Sequence, residues 1–366
     1  MARVKMILVG GFLGAGKTTL LARAAEELAA RGRRVGLITN DQAANLVDTE
    51  VLRQTGQEVK EVAGACFCCA FNKLLYVCEN LIDVHHPDVI LGEPVGSCTD
   101  LSATVLQPLK KLCADRFDLA PYSVLVDPDK LADSLGQDQE EELDAAVHYI
   151  YRKQIEEADL VVVNKIDALV AERRGRILEA LRKVRPGAPV LLMSARDRTG
   201  VKEWLDLVMA GGPAGQRIVE VDYDTYAAGE AALGWLNAAV ELSARHPTDF
   251  RALALGFLGS LQSRLRQEAA EIAHLKILVT AQDGRLQANL TSSAGEAIVQ
   301  GDLGAASLHA TMVINARVRT TPQQLRAAVE ACLAQAAGAA VAVNVAELSS
   351  LQPGRPQPVH RFGEVV

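Results

Sequence analysis

The chain has 366 residues, a formal net charge of −7, few aromatics (4%) and seven cysteines, and is long enough for two domains with sizeable cores. The acidic balance without a basic run argues against nucleic acid as a partner, and no apolar run reaches the roughly 18 residues of a membrane span. An odd cysteine count, with three crowded into four positions, argues against a disulfide framework. The first strand starts the chain, so no signal peptide is expected and a reducing cytoplasm is the expected compartment.

Val4 to Val9 is a short apolar strand, followed by a glycine-rich turn and a helix from Lys17. Gly11, Gly16, Lys17 and Thr18 match G-x-x-x-x-G-K-[ST] in the strand–turn–helix context that this phosphate loop requires. Glycines let the backbone wrap a phosphate, and the first amides of the helix point at the anion. Gly11, Gly14, Ala15, Gly16, Lys17, Thr18 and Thr19 are therefore assigned to a nucleotide's phosphates, with Lys17 reaching the β and γ groups and Thr18 offering its hydroxyl to Mg²⁺. Leu20, Leu21, Ala24 and Leu28 stripe the helix, Gly32 ends it, and Val35 to Thr39 form a buried strand. Asn40, Asp41 and Gln42 then fall at a strand's carboxyl edge, where ligands of open α/β sheets gather. Asp41 is a second candidate ligand of the Mg²⁺, with a turn role as the alternative.

Residues 45 to 54 are polar and helical or irregular, and 58 to 63 alternate like a strand leading to Cys66, Cys68 and Cys69. Thiolates are soft ligands suited to Zn²⁺ and related ions. Cys66 and Cys68 project to one side of an extended chain, and a turn must bring Cys69 round. Three thiolates leave one tetrahedral position open, which favours transfer of the ion over permanent structural binding. The alternatives are buried packing and a redox-active pair. Cys98 either completes this site or packs at a helix start. Cys78, Cys113 and Cys332 fall on apolar helical faces and read as core, and His85 with His86 as a solvated turn.

A helix striped by Phe71, Leu74, Leu75, Cys78, Leu81 and Ile82 precedes another buried strand, residues 87 to 93. Its closing carboxylate, Glu93, stands where Mg²⁺ is held or attacking water oriented, or else caps the next helix; the N–H of Gly96 is placed to sense a γ phosphate. Residues 123 to 127, 159 to 164 and 189 to 194 repeat the strand pattern, and Leu143, Ala146, Val147 and Ile150 stripe a helix between them. Asn164, Lys165 and Asp167 follow one of these strands as Asn-Lys-x-Asp. The Asp167 carboxylate can accept both the ring N–H and the exocyclic amine of guanine, a pattern adenine cannot supply. Lys165 would lie along the base, Asn164 would tie this loop to the phosphate loop, and Ser194 with Ala195 would add a backbone N–H to the guanine oxygen.

Strand–helix alternation over residues 1 to 210 predicts a doubly wound, mostly parallel α/β sheet. After the glycine-rich break at 211 to 215, residues 217 to 350 read as a smaller α+β domain of split β-α-β, ferredoxin-like type. It has a strand within 233 to 242, a helix striped by Phe250, Leu253, Phe257, Leu258, Leu261 and Leu265, and a hairpin about Asp283 and Gly284. Leu308, Ala310, Met312, Ile314, Ala316 and Val318 form the inner face of another strand. Thr321 to Gln324 make a capping box, Gly338 stops that helix, and 340 to 345 are a last strand. Residues 351 to 366 form an extended tail.

With these elements in this order, the first domain resembles the CobW-type metallochaperone GTPases, relatives of the urease and hydrogenase nickel-insertion GTPases. That family's h-h-h-E-x-x-G is matched by Ile90 to Gly96, its Cys-x-Cys-Cys by Cys66, Cys68 and Cys69, and its guanine motif by Asn164 to Asp167. The chain departs from it in having Ala65 between Gly64 and Cys66, Pro94-Val95 after Glu93, and no histidine-rich tract. The resemblance implies a Mg²⁺-dependent GTPase that delivers a transition metal, zinc or cobalt, to a client protein; with no glutamine in the sequence evidently placed to hold water, slow basal turnover is expected. The alternatives are a GTP-dependent activation or repair factor for a metalloenzyme, such as a corrinoid-dependent one, without metal carriage, and a small-molecule P-loop kinase.

Overall fold

The computed structural model describes residues 3–43, 46–135 and 144–366. They fall into two compact units, one of Met1–Gln42, Asp48–Gly229 and Arg355–Val366, the other of Ala43–Val47 and Glu230–Gly354. Leu143 of the expected helical stripe lies outside the described residues.

The first unit runs β1 (Val4–Gly11), α1 (Lys17–Ala30), β2 (Val35–Asp41), α2 (Val47–Arg53), β3 (Glu58–Ala63), α3 (Phe71–His85) and β4 (Val89–Glu93). A π-helical turn at Ser102–Leu106 continues into α4 (Gln107–Leu112), then come β5 (Phe117–Leu119), β6 (Ser123–Val126), α5 (Pro128–Leu135) and α6 (Asp144–Glu156). β7 (Leu160–Val163), α7 (Ala171–Val184), β8 (Val190–Leu192), α8 (Val201–Ala210) and α9 (Tyr223–Ala231) complete it. The strands lie in the order β3-β2-β4-β1-β6-β7-β8, with β5 beside β1, and their pairings are parallel.

Such a sheet is covered on both faces, so its strands are apolar throughout rather than alternating. Every residue of β1, β2, β4 and β7 is buried. Leu20, Leu21, Ala24, Ala25 and Leu28 of α1 share one core with Ile7, Val9, Leu37, Leu91 and Trp204. Three-residue β5 has no counterpart in the sequence reading, being too short to carry a period. The carboxyl ends of β1, β2, β4, β7 and β8 place Gly11, Asp41, Glu93, Asn164 and Ser194 at one edge of the sheet.

The second unit carries β9 (Gly234–Thr248), α10 (Phe250–Gln267), β10 (Ile272–Ala281), β11 (Gly284–Leu290), β12 (Ile298–Asp302), β13 (Ser307–Val318), α11 (Pro322–Ala337) and β14 (Val341–Leu351). Its antiparallel sheet has the order β12-β11-β10-β13-β9-β14. Omitting the β11–β12 extension leaves the interleaved order of a split β-α-β fold. The apolar stripe of α10, from Phe250 to Leu265, packs with Leu275, Ile277, Met312, Ile314 and the inner face of α11. Thr321 and Gln324 form the reciprocal capping box, and Gly338 ends α11 with φ 55°.

Leu308 departs from the expected inner face and is 43% exposed. A register shift between Ser307 and His309 in the β13–β9 pairing breaks the alternation there, and it resumes at Ala310. β12 was not read from the sequence, because its residues are exposed or half-buried and carry no apolar face.

Trp204 is fully buried, and its Nε1–H donates to Ser123 Oγ at 3.0 Å. Trp204→Ala should lower the stability of the first unit by about 3–5 kcal/mol, read as a shift of its urea transition to lower denaturant by circular dichroism.

Candidate functional site

The phosphate loop needs its glycines for two reasons. Gly11, Gly14 and Gly16 take φ of 128°, 78° and 95°, a region that side chains disfavour. A Cβ on Gly16 would also collide with the Asn164 amide nitrogen, and one on Gly11 with the Leu125 carbonyl. Gly16 hands the chain directly to α1, so the first helical amides open into the loop. Lys17, 6% exposed, donates from Nζ to Gly11 O (2.8 Å) and Phe12 O (3.4 Å) and stands 3.9 Å from Glu93 Oε1.

The Thr18 hydroxyl lies 2.6 Å from Asp48 Oδ1 and 3.1 Å from Glu93 Oε1. Three hard oxygen donors thus converge beside the phosphate loop, the ligand chemistry that Mg²⁺ takes. Asp48 was not singled out from the sequence, since it sits in a polar stretch without periodicity. Asp41 ends β2 and accepts the Gln42 N–H on Oδ1 at 2.6 Å. Gly96 lies against the phosphate loop, where an added Cβ would collide with the Leu13 side chain. Gln154 of α6 fixes that segment, donating from Nε2 to Gly96 O (3.0 Å) and Cys98 O (2.8 Å).

The second cluster gathers at the ends of β7 and β8. Asn164 donates from Nδ2 to Ala15 O (2.8 Å) and accepts Ala195 N–H on Oδ1 (2.9 Å), joining both loops to the phosphate loop. The Ala195 amide expected on the guanine oxygen is thus engaged by Asn164. Asp167 accepts Ser194 Oγ on Oδ1 (2.6 Å) and pairs with Arg196 through Oδ2 (2.7 Å). Arg196 is half-exposed, so its guanidinium can leave the carboxylate to an incoming base. Lys165 takes φ 59° and pairs with Asp127 at 2.7 Å. Asp127, at the end of β6, escaped the sequence reading although its position at a buried strand's carboxyl edge was a usable signal.

Cys66, Cys68 and Cys69 stand together, their sulfurs all within 4.8 Å of one another. Cys66 Sγ and Cys68 Sγ are 2.9 Å apart, and Cys68 Sγ and Cys69 Sγ 3.7 Å. The required turn is present, with Cys69 N–H and Ala70 N–H both donating to Cys66 O at 3.0 and 2.8 Å. Asn40 holds the loop from the end of β2: Nδ2 donates to Val62 O (2.7 Å) and Ala65 O (2.8 Å), and Oδ1 accepts Phe67 N–H (2.8 Å). Hydrogen bonds from the neighbouring thiols, Cys68 first, pull Cys66 well below the ordinary thiol range. Cys69, beside Cys66 and half-buried, is pushed up to about 11. Residues of the carboxy-terminal segment close over the loop, Gln357 N–H donating to Cys69 Sγ (3.2 Å) and Val359 N–H to Cys68 O (3.0 Å). No pattern in that segment announced this role.

The sequence profile of the CobW/HypB/UreG nucleotide-binding domain matches residues 5–192. The chain belongs to the CobW/HypB/UreG family. It is 26% identical over 218 residues to the zinc chaperone CobW of Pseudomonas aeruginosa, covering 54% of this chain and 58% of that protein. To the zinc chaperone YjiA of Escherichia coli it is 25% identical over 203 residues, covering 54% and 59%. This CobW/HypB/UreG chain therefore spans less than two thirds of the length of these curated relatives. Among solved structures, Zn(II)-bound YjiA GTPase from Escherichia coli superposes with a TM-score of 0.40 and 17% identity, covering 91% of this chain and 99% of that one.

Gly16→Ala should abolish nucleotide binding while leaving the fold intact, because it displaces Asn164 from the phosphate loop. Loss of at least about tenfold in affinity for a fluorescent guanine nucleotide, with unchanged circular dichroism, is the expected result.

Proposed function

We propose that this chain is a Mg²⁺-dependent GTPase that takes a transition-metal ion, zinc or cobalt, as cargo on Cys66, Cys68 and Cys69 and couples GTP hydrolysis to its delivery to a client metalloprotein. The observation that carries this reading is the shared support of the two sites. Thr39 of β2 is the register partner of Glu93, and the next residue, Asn40, clamps the thiol loop. Phe67 of that loop lies beside Gly92, the neighbour of Glu93. Ordering of the Glu93–Gly96 segment by a γ phosphate would therefore be felt at the sulfurs, a linked two-site switch. The relatives' names as zinc chaperones favour zinc.

In the chemical step Lys17 would leave the loop carbonyls for the β and γ oxygens, and the helix amides after Gly16 would hold the same oxygens. Thr18, Asp48 and Glu93 would hold Mg²⁺, which neutralises charge developing between the β and γ phosphates. Gln154 has its amide engaged on Gly96 and Cys98, so it positions the sensing loop rather than water. Slow basal turnover follows from the absence of an assigned water-orienting glutamine among the described residues. Asp167 sets the base preference and makes an ATP-dependent small-molecule kinase the weaker reading.

Asp167→Asn should shift preference from GTP to xanthosine triphosphate by at least about tenfold, since the amide can donate where the carboxylate only accepts. Competition against a fluorescent nucleotide measures it, and retained GTP preference would remove the guanine assignment. Replacing Cys66, Cys68 and Cys69 together by Ser should abolish high-affinity Zn²⁺ binding while sparing GTP binding; unchanged Zn²⁺ affinity would refute the cargo half. Asn40→Ala, which frees the thiol loop without touching a sulfur, should weaken Zn²⁺ by about 10–100-fold in a chelator competition.

A further inference from the structure

We propose that Cys98 is the fourth sulfur ligand of the metal cargo, so that the ion is closed by four thiolates, one of them carried on the loop that follows Glu93 and Gly96. The inference rests on the reading of Cys66, Cys68 and Cys69 as a metal site and adds to it the residue that fills its open position.

Cys98 is 1% exposed, and its thiol lies within hydrogen-bonding reach of both Cys66 and Cys68. Cys78 shares the buried face of α3 with Phe71, Leu74 and Leu81, the place of a packing cysteine. Cys98 instead faces sulfurs. Its backbone is fixed at both polar groups, the N–H on Val95 O (2.9 Å) and the carbonyl on Gln154 Nε2 (2.8 Å), so the thiol is aimed by the loop.

The geometry also says what loading requires. Zinc–sulfur bonds of about 2.3 Å in a tetrahedron set the sulfurs roughly 3.8 Å apart. Cys66 and Cys68, at 2.9 Å, must spread, while Cys68 and Cys69, at 3.7 Å, already match. Cys98 touches two of the three sulfurs but stands outside the 4.8 Å grouping, so it must advance towards Cys69 to surround the ion. That advance moves the segment from Gly96 to Cys98, whose first residue packs on Leu13 of the phosphate loop. A metal ligand and a phosphate sensor are thus two residues apart on one strip of backbone, which gives nucleotide state a direct lever on the ion.

The test uses the full chain loaded with Co²⁺ and with Zn²⁺. X-ray absorption of the zinc-loaded wild type should show four sulfur neighbours. Cys98→Ser should lose about a quarter of the sulfur-to-cobalt charge-transfer intensity, one thiolate in four, and bind Zn²⁺ about tenfold or more weakly, with Cys78→Ser matching wild type. Three sulfurs and one lighter neighbour in the wild type, or a Cys98→Ser spectrum identical to wild type, would overturn the proposal while leaving the three-thiol cargo site standing. A wild type that binds neither ion would overturn both. The absorption measurement needs no variant, so it decides the matter even where Cys98→Ser does not fold.

Discussion

The parallel pairing of β1 with β4 is the constraint on which the rest of the first unit depends. Ile7 opposite Leu91 and Leu8 opposite Gly92 bring the two strands to a common edge, one ending in the phosphate loop and the other in Glu93. The approach is close enough that a Cβ on Gly92 would collide with the Leu8 side chain. From it follow the Thr18 contact with Glu93 and the short separation of Lys17 from the same carboxylate. β2 then adds to the far side of β4 and carries Asn40, the anchor of the thiol loop, one residue beyond the partner of Glu93. Nucleotide and sulfur chemistry are neighbours because three adjacent parallel strands end together, and parallel strands present their carboxyl ends at one edge.

Much of this was legible in the sequence because buried parallel strands write themselves as apolar runs and the residue after each run falls at the functional edge. Glu93, Asn164 and Ser194 were placed at the sheet's carboxyl edge that way, whereas Gly11 came from the glycine motif and the turn at Cys69 from the spacing of the cysteines. In the second unit the stripe of α10 and the Thr321–Gln324 box had the same clarity. Asp48 was missed because a polar segment of uncertain conformation gives no rule for which carboxylate turns inward. The Asn40 clamp was missed for a related reason. Its three hydrogen bonds join residues 22 to 27 positions away, and local pattern does not encode such contacts. The covering of Cys68 and Cys69 by residues 357 and 359 spans nearly the whole chain, and Leu308 failed only because a bulge resets a strand's period.

The two clusters solve opposite electrostatic problems. Around the phosphate loop the protein holds a cation, Lys17, on neutral carbonyls close to the Glu93 carboxylate. A phosphate oxygen is a stronger acceptor for a buried ammonium than a neutral carbonyl, so the pocket suits an anionic occupant. The loops after β7 and β8 are held in the same way, with Ser194 and Arg196 as the partners of the Asp167 carboxylate.

The sulfurs answer mainly to one another. The largest influences on the Cys66 thiol are hydrogen bonds from other cysteines, and burial opposes its charge. Cys68 is correspondingly held well above the ordinary range, chiefly by its contact with Cys66. A thiolate here would be stabilised only by neighbouring S–H donors, and gathering further thiolates without a counter-charge would raise the cost steeply. A divalent cation removes that penalty, because it supplies the charge and replaces the shared protons in one step. The contacts that hold the loop are hydrogen bonds to Asn40 and from residues 357 and 359.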